Sequence, residues 1–212
     1  MIRIVLADDH TIVREGLKQL LAADGELAVV GEAQNGHEVM ERVRGLEFDL
    51  LLLDMSMPGK SGIELIKQVR AEKPKLRILI LSMHEERQYA VRAIRAGAAG
   101  YITKESAARQ LVAAIRKVAA GGAFISAEVA EQLALGAMPG AAGGPPHAAL
   151  SDREFQVLRL IAEGRSVTEI AEGLNLSVKT VSTHKANILH KMAMTNTSEL
   201  IRYALAHHLI EE

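Results

Sequence analysis

Carboxylates, a hydroxyl and a lysine each follow a short apolar stretch in the first half of the chain. In chain order they are Asp8 with Asp9, Asp54, Ser82 and Lys104. Carboxylates gathered in one site stay ionised around a hard divalent cation, and Mg²⁺ prefers such oxygen ligands. A carboxylate can also attack phosphorus, while a metal and an ammonium neutralise charge on the phosphoryl oxygens. The residue types therefore predict a magnesium-dependent phosphoryl-acceptor site, provided that the fold brings them together.

Five apolar stretches alternate with five amphipathic helical patterns over roughly the first 120 residues, a suitable size for one domain. The predicted strands are residues 2–7, 27–30, 49–53, 77–81 and 99–102. Residues 50–53 are apolar at every position, which is typical of a strand covered on both faces. This alternation predicts an α/β fold, a doubly wound five-stranded parallel sheet. Because polar residues at the carboxyl ends of parallel strands share one edge, we expect the candidate site there.

Capping residues predict where the helices begin. Thr11 is expected to cap the first helix and Ser61 the third, since both types accept hydrogen bonds from free backbone amides. The fourth helix is predicted over residues 85–96, and the fifth over residues 107–119. A further short helix is expected over residues 126–135.

Composition excludes several classes of function. The 212 residues include no cysteine, which excludes disulfides, thiolate metal sites and a cysteine nucleophile. This fits a reducing cytoplasm, and cytoplasmic localisation is predicted. No apolar run approaches the roughly 20 residues of a membrane span, so no membrane partner is expected. The N-terminus turns acidic too early for a signal peptide.

A Gly-, Ala- and Pro-rich stretch, residues 136–147, predicts a linker between two domains. The predicted division is residues 1–121, a linker with a short helix over 122–147, and a second domain over 148–212. The second domain contains four helical patterns and no strand pattern, and Ser151 with Glu154 forms a capping box. Two of its helices, residues 166–173 and 178–192, are joined by a tight turn.

The second helix of that pair is basic and polar on its outer face. Lys179, Lys185 and Lys191 occur in it without any acid, together with short hydrogen-bonding side chains suited to phosphates and base edges. A helix-turn-helix is a common structural unit, but this composition favours DNA binding. The second domain as a whole is not basic, which predicts modest non-specific affinity for DNA.

The first 120 residues resemble the receiver domain of two-component response regulators, which has a flavodoxin-like fold. The resemblance is carried by Asp8-Asp9, Asp54, Met57-Pro58-Gly59, Gly62, Ser82, Ala98-Ala99-Gly100-Tyr101 and Lys104. It implies that Asp54 is the phosphoacceptor and that Lys104 contacts the phosphoryl group. It also implies that Ser82 and Tyr101 form a switch pair, although Tyr101 alone would be an ordinary edge residue. One departure is Glu105, where many receivers have proline.

The same resemblance implies a Mg²⁺ site. Asp9, Asp54 and the backbone carbonyl of Ser56 would bind the ion directly, and Asp8 mainly through water. Ser56 and His84 occupy positions that tune phosphoryl lifetime in receivers, so we expect them to help position the hydrolytic water.

Residues 148–210 resemble the LuxR-type DNA-binding domain through Leu150-Ser151-Asp152-Arg153-Glu154, Ile170-Ala171-Glu172 and residues 176–181 with His184 and Asn187. Joined to a receiver, this resembles a NarL/FixJ-family regulator, with residues 178–191 in the major groove. The implied DNA-binding residues are Thr168, Ser177, Val178, Lys179, Thr180, Ser182, Thr183, Lys185, Ala186, Asn187 and Lys191. Val167-Thr168 stands where relatives often have Asn-Lys, and Ser182 and Ala186 stand where some have lysine.

Together these features predict a transcription regulator that a histidine kinase phosphorylates on Asp54. It would then dimerise and bind double-stranded promoter DNA. It is not expected to be an enzyme, apart from slow loss of its own phosphoryl group. Two alternatives stay open. One is a haloacid-dehalogenase-type phosphatase, although its Asp-x-Asp motif on the first strand is missing here. The other is a DNA-binding protein whose first domain only mediates protein contacts.

Overall fold

The computed structural model describes residues 1–57, 62–82, 87–136, 145–207 and 209–210, without the side chains of residues 87 and 136. These residues divide into two compact units, Met1–Glu131 and Gln132–Glu212. The predicted Ser61 cap, residues 85 and 86 of the predicted fourth helix, His84 and residues 137–144 of the predicted linker lie outside the described residues.

The first unit is built on a five-stranded parallel sheet, as predicted. The strands are β1 Ile2–Ala7, β2 Leu27–Ala33, β3 Leu50–Asp54, β4 Arg77–Ser82 and β5 Gly100–Thr103. They lie in the order β2-β1-β3-β4-β5, and every neighbouring pair is parallel. All five residues of β3 are buried, which explains why this strand is apolar on both faces.

Helices follow each strand of this sheet. They are α1 Thr11–Ala22, α2 Gly36–Gly45, α3 Gly62–Glu72, α4 Arg87–Ala96 and α5 Lys104–Ala119, and α6 Ala127–Gly136 comes after them. The core is aliphatic, with Ile4, Leu52 and Leu81 of the sheet packed against helical side chains such as Leu111 and Ile115. The lack of tryptophan is therefore no obstacle to a closed core.

Two helix starts differ from the sequence prediction. Thr11 is not the cap of α1. His10 occupies the capping position without using its side chain, and Thr11 is the first helical residue. α5 begins three residues earlier than predicted because the side chain of Thr103 accepts a hydrogen bond from the Ser106 amide at 3.2 Å. Lys104 is therefore the first residue of α5, which fixes its backbone at the end of β5.

The outer edge of β5 is covered by Phe124. The Phe124 amide donates to the Ala99 carbonyl at 3.1 Å, and the Tyr101 amide donates to the Phe124 carbonyl at 2.8 Å. A Cβ atom on Gly100 would lie 2.8 Å from Leu79 Cδ1 and 3.0 Å from the Phe124 carbonyl oxygen. Glycine at position 100 thus permits the close approach.

The second unit consists of helices. They are α7 Asp152–Ala162, α8 Val167–Gly173, α9 Val178–Lys191 and α10 Thr197–Ala206, preceded by a 3₁₀ turn at Pro146–Ala149. The predicted capping box of Ser151 and Glu154 is confirmed at the start of α7. A second capping box, formed by Ser166 and Glu169, begins α8 and was not predicted.

His147 is buried in the second unit, with 2% of its surface exposed. Its Nδ1 atom lies 2.7 Å from the Tyr203 hydroxyl, and its ring contacts those of Phe155 and His207. Burial raises the pKa of Tyr203. The 3₁₀ turn that precedes α7 is therefore anchored to α10. Among the helices that the structure describes, none combines the length and hydrophobicity needed to cross a membrane.

Candidate functional site

The predicted site residues lie at one edge of the sheet because their strands end there. Asp8 follows β1, Asp54 ends β3, Ser82 ends β4, and Lys104 follows β5. Asp8 and Asp54 are fully buried, and Ser82 is 2% exposed. The Nζ atom of Lys104 lies 2.7 Å from Asp8 Oδ2 and 3.1 Å from Asp54 Oδ2. One ammonium therefore joins two carboxylates from different strands.

Burial and charge act against each other at this site. Burial raises the pKa of Asp54, and the attraction of the Lys104 ammonium offsets this only in part. Burial lowers the pKa of Lys104, but the carboxylates of Asp8 and Asp54 outweigh it and the net shift is upward. Lys104 thus stays cationic, whereas the charge on Asp54 is costly without a further cation.

Asp9 and His10, on the loop after β1, lie close to the carboxylates of Asp8 and Asp54. The His10 amide donates to Asp8 Oδ1 at 2.8 Å, and its Nδ1 atom lies 3.0 Å from Asp9 Oδ1 and 3.2 Å from Asp8 Oδ1. One ligand atom from each of Asp8, Asp9, His10 and Asp54 lies within 4.8 Å of the others. His10 was not predicted as a site residue, although its position directly after two acids was a usable signal.

The cluster fits Mg²⁺. Asp8 Oδ2, Asp9 Oδ1 and Asp54 Oδ2 are buried, and among the described residues the Lys104 ammonium is in contact with Asp8 and Asp54. One ammonium does not balance three carboxylates, so a further cation that approaches them lowers the cost of burying their charge. Their charge and hardness match the oxygen donors that Mg²⁺ prefers.

A buried arginine supports the loop from behind. Arg14 Nη1 donates to the Asp8 carbonyl at 2.7 Å, and Nε donates to Glu32 Oε2 at 3.2 Å. Lys18 Nζ lies 2.8 Å from Glu32 Oε1, and hydrogen bonds from Lys18, then Arg14, lower the pKa of Glu32. This network ties the Asp8 backbone to α1 and β2 and was not predicted from the sequence.

Other predicted residues lie close to the same edge. The Ser56 amide donates to Asp54 Oδ1 at 3.2 Å, which orients the carboxylate. Leu81, directly before Ser82, is paired with Asp54 in the sheet. Tyr101 is half-buried on β5, where it is paired with Ile80.

The second candidate site is the outer face of α9. Its exposed residues include Val178, Lys179, Ser182, Thr183, Ala186, Asn187 and Lys191, while Thr180 and Lys185 are partly exposed. The helix contains no acid. Ser177 caps it by accepting from the Thr180 amide at 3.0 Å, and Thr168 is exposed on α8. Lys191 differs from the other lysines because its Nζ atom lies 2.7 Å from Glu154 Oε2.

Comparisons with known proteins identify both domains. Residues 4–116 match the response regulator receiver domain, and residues 148–204 match the bacterial regulatory proteins of the luxR family. The chain belongs to the response regulators of the NarL/FixJ family. It is therefore a DNA-binding transcription regulator with an N-terminal receiver and a LuxR-type C-terminal domain.

Relatives match this response regulator over its whole length. Response regulator UvrY of Escherichia coli K12 is 36% identical over 99% of this chain and 96% of its own. Response regulator GacA of Pseudomonas aeruginosa is 36% identical over 100% of this chain and 99% of its own. A structure of RcsB from Salmonella enterica serovar Typhimurium, bound to promoter P1flhDC with phosphomimetic BeF3⁻, has a TM-score of 0.68. It is 33% identical and covers 95% of this chain and 97% of RcsB.

These matches favour a response regulator over the phosphatase alternative. The response regulator family accounts for both domains, whereas a haloacid-dehalogenase-type phosphatase would account only for the acidic site. The phosphatase alternative also placed its nucleophile on the first strand, but Asp54 ends β3.

Proposed function

We propose that a histidine kinase phosphorylates this regulator on Asp54 in the cytoplasm, and that the phosphorylated form binds promoter DNA as a dimer. The observation that carries the proposal is the contact of Lys104 with both Asp8 and Asp54 at the end of the sheet. In such a pair the carboxylate can accept a phosphoryl group, and the ammonium beside it can stabilise the charge on the phosphoryl oxygens.

In the transfer, an Asp54 oxygen attacks the phosphorus of a phosphohistidine. The O–P bond forms as the P–N bond breaks, and the leaving imidazole nitrogen takes a proton from solvent. The Ser56 amide holds one Asp54 oxygen at 3.2 Å, so the other oxygen faces Lys104 and the incoming phosphorus. Lys104 then stabilises the charge on the transferred oxygens.

Asp9, Asp54 and the Ser56 carbonyl would hold Mg²⁺, and Asp8 would contact it through water. The ion supplies charge neutralisation at the transferred phosphoryl oxygens. Arg14 holds the Asp8 backbone at 2.7 Å and so keeps this acidic loop in place while the site is charged.

The phosphoryl group is expected to act through Ser82 and Tyr101. The Ser82 hydroxyl would turn toward the new group, and the Tyr101 ring would turn inward, which reshapes the surface of α4, β5 and α5. A few kcal/mol of differential stabilisation is enough to shift such an equilibrium. Slow hydrolysis of the acyl phosphate, with Ser56 and His84 positioning water, would end the signal.

For DNA, α9 would enter the major groove. The exposed Lys179 and partly exposed Lys185 would contact phosphates, and Ser182, Thr183 and Ala186 would lie nearest the bases. The support is an exposed helix face without acids and the RcsB relative, whose structure contains promoter DNA. The last helix, α10, would pair two copies on a two-fold site. The functional division would be residues 1–121, 122–147 and 148–212.

The test compares the wild type with Asp54→Asn and with Asp49→Asn as a matched control. Asp49 precedes β3 at the opposite end of the sheet, where its carboxylate pairs with Arg3 at 3.2 Å. Each protein is incubated with Mg²⁺ and acetyl phosphate, and phosphorylation, molecular mass and retention of a pool of random DNA duplexes are measured.

We expect the wild type and Asp49→Asn to gain one phosphoryl group, to dimerise and to retain more DNA, whereas Asp54→Asn does none of these. If Asp54→Asn behaves like the wild type, Asp54 is not the control point and the first domain acts through protein contacts alone. Turnover of a small phosphate ester, in place of a single phosphoryl group that is lost slowly, would instead indicate a phosphatase.

A further inference from the structure

We propose that the His10 imidazole is a direct ligand of the metal site for first-row transition-metal ions such as Mn²⁺ and Ni²⁺. This histidine would give the acidic site a wider metal range than three carboxylates alone. The inference rests on the proposed metal site and assigns to it one additional nitrogen ligand, on the same loop as Asp8 and Asp9.

The distances match the edges of a six-coordinate site. Ligands about 2.1 Å from an octahedral ion lie about 3.0 Å apart when adjacent and about 4.2 Å apart when opposite. His10 Nδ1 lies 3.0 Å from Asp9 Oδ1 and 3.2 Å from Asp8 Oδ1. With Asp54 included, the four ligand atoms lie within 4.8 Å of one another. His10, Asp9 and Asp54 could therefore surround one ion after small shifts, with Asp8 reaching it through a bound water.

The backbone explains why the ring points to the acids. His10 is the capping residue of α1, a position where short polar side chains normally bond to the helix amides, yet its side chain makes no such bond. Instead its amide donates to Asp8 Oδ1 at 2.8 Å, which turns the loop back over the cluster. The side chain is 61% exposed, so a hydrated ion can reach the nitrogen from solvent.

The set of ligand atoms predicts which ions bind more tightly because of His10. Carboxylate oxygens serve Mg²⁺ and Mn²⁺, whereas imidazole adds affinity mainly for later first-row ions, in the order Mn²⁺ < Co²⁺ < Ni²⁺. A nitrogen ligand therefore adds little for Mg²⁺, which keeps its waters, and much for Ni²⁺. The alternative is that His10 only bonds to the carboxylates and has no role toward metal.

The experiment uses the full chain and Mn²⁺ as the probe. The electron paramagnetic resonance signal of free Mn²⁺ gives its affinity, and bound Mn²⁺ is then displaced with Mg²⁺ or with Ni²⁺. Only competitor ions at the same site release Mn²⁺, so histidines elsewhere do not contribute. The variants are His10→Asn and the control His37→Asn, whose imidazole lies 3.4 Å from the Glu41 carboxylate on α2.

We expect His10→Asn to raise the Ni²⁺ concentration that displaces bound Mn²⁺ by about tenfold or more. The Mg²⁺ concentration that displaces bound Mn²⁺ should change less than about twofold. His37→Asn should leave both unchanged. In protein labelled with ¹⁵N at histidine, pulsed resonance should show nitrogen coupling to bound Mn²⁺, and His10→Asn should remove it.

Equal Ni²⁺ displacement in wild type and His10→Asn, or no nitrogen coupling in the wild type, would overturn the assignment. An equal loss for Mg²⁺ and Ni²⁺ would also overturn it, because it would show that His10 only shapes the loop. Failure of the wild type to bind Mn²⁺ or Mg²⁺ at all would instead refute the underlying metal site.

Discussion

The Lys191 ammonium lies 2.7 Å from the Glu154 carboxylate, which links the last residue of α9 to the first turn of α7. The same carboxylate accepts the Ser151 amide at 2.8 Å in the capping box. Glu154 thus closes the start of one helix and holds the end of the helix proposed to read DNA.

Glu154→Gln should destabilise the second unit. The substitution keeps the shape but removes the charge that holds Lys191 and strengthens the cap, a loss of about 1 kcal/mol. For a domain of 60–100 residues this corresponds to a fall in Tm of about 4–8 °C. Hydrogen exchange of the α7 and α9 amides in the full chain would measure the loss of stability of the second unit. Glu169→Gln, in the exposed box of α8, should cost less.

The effect of Glu154 also depends on pH. Burial raises the pKa of Glu154, but bonds from Lys191 and Ser151 outweigh it and the net shift is downward. The carboxylate therefore stabilises the fold fully above its unfolded pKa of about 4.3, and this is lost as pH falls through the lower folded value. The wild type and Glu154→Gln should become equally stable in acid. A constant difference down to acidic pH would contradict the assignment.

Asp54→Asn should make the metal-free receiver more stable. Because burial raises the pKa of Asp54, its stabilising contribution is greatest in acid and falls as pH rises through the folded value, so ionised Asp54 costs stability at neutral pH. We expect a rise in Tm on the order of 2–5 °C without metal, measured by calorimetry. Adding Mg²⁺ should raise the Tm of the wild type more than that of the variant. A lower Tm for metal-free Asp54→Asn would show that the Lys104 contact outweighs burial.

Lys179 and Lys191 should differ in their effect on DNA binding. Lys179 is exposed on α9, so Lys179→Ala should weaken binding to all sequences and reduce the salt slope by about 0.9 for each copy bound. Lys191→Ala should change the slope less, because a phosphate contact must first break the 2.7 Å pair with Glu154. Titrations of a short duplex at several salt concentrations would measure both slopes. Equal slopes would show that the ion pair opens on DNA.

Ala193→Gly should stabilise the end of α9. Ala193 has a φ of 53°, in the left-handed region that disfavours residues with a Cβ, and its amide bonds to the His190 carbonyl. Relief of that strain, less the added freedom of the unfolded chain, should give about 0.5–1 kcal/mol. Ala186→Gly, within the exposed face of α9, should have the opposite sign and cost about 1 kcal/mol. Thermal unfolding of both variants would measure the two changes in stability and show whether their signs are opposite.

The sheet and the main acidic residues were predictable because they depend on local patterns. The apolar run of β3 and the acid that ends it are visible in sequence, and parallel strands leave few places for that acid. The contact of Arg14 with the Asp8 carbonyl was not predictable, because it depends on loop backbone angles and on one rotamer. The burial of His147 depends on Tyr203, 56 residues later, and no local pattern records such packing.

Phe124 has a consequence for the behaviour of incomplete chains. β5 has only four residues, and Phe124 occupies hydrogen-bonding groups on its outer edge. A bare edge strand offers unpaired amides and carbonyls to strands of other molecules, which promotes aggregation. A chain that ends before Phe124 would keep every residue of the acidic site yet expose that edge. During synthesis, protection of the sheet against self-association is therefore completed only after the last strand has been made.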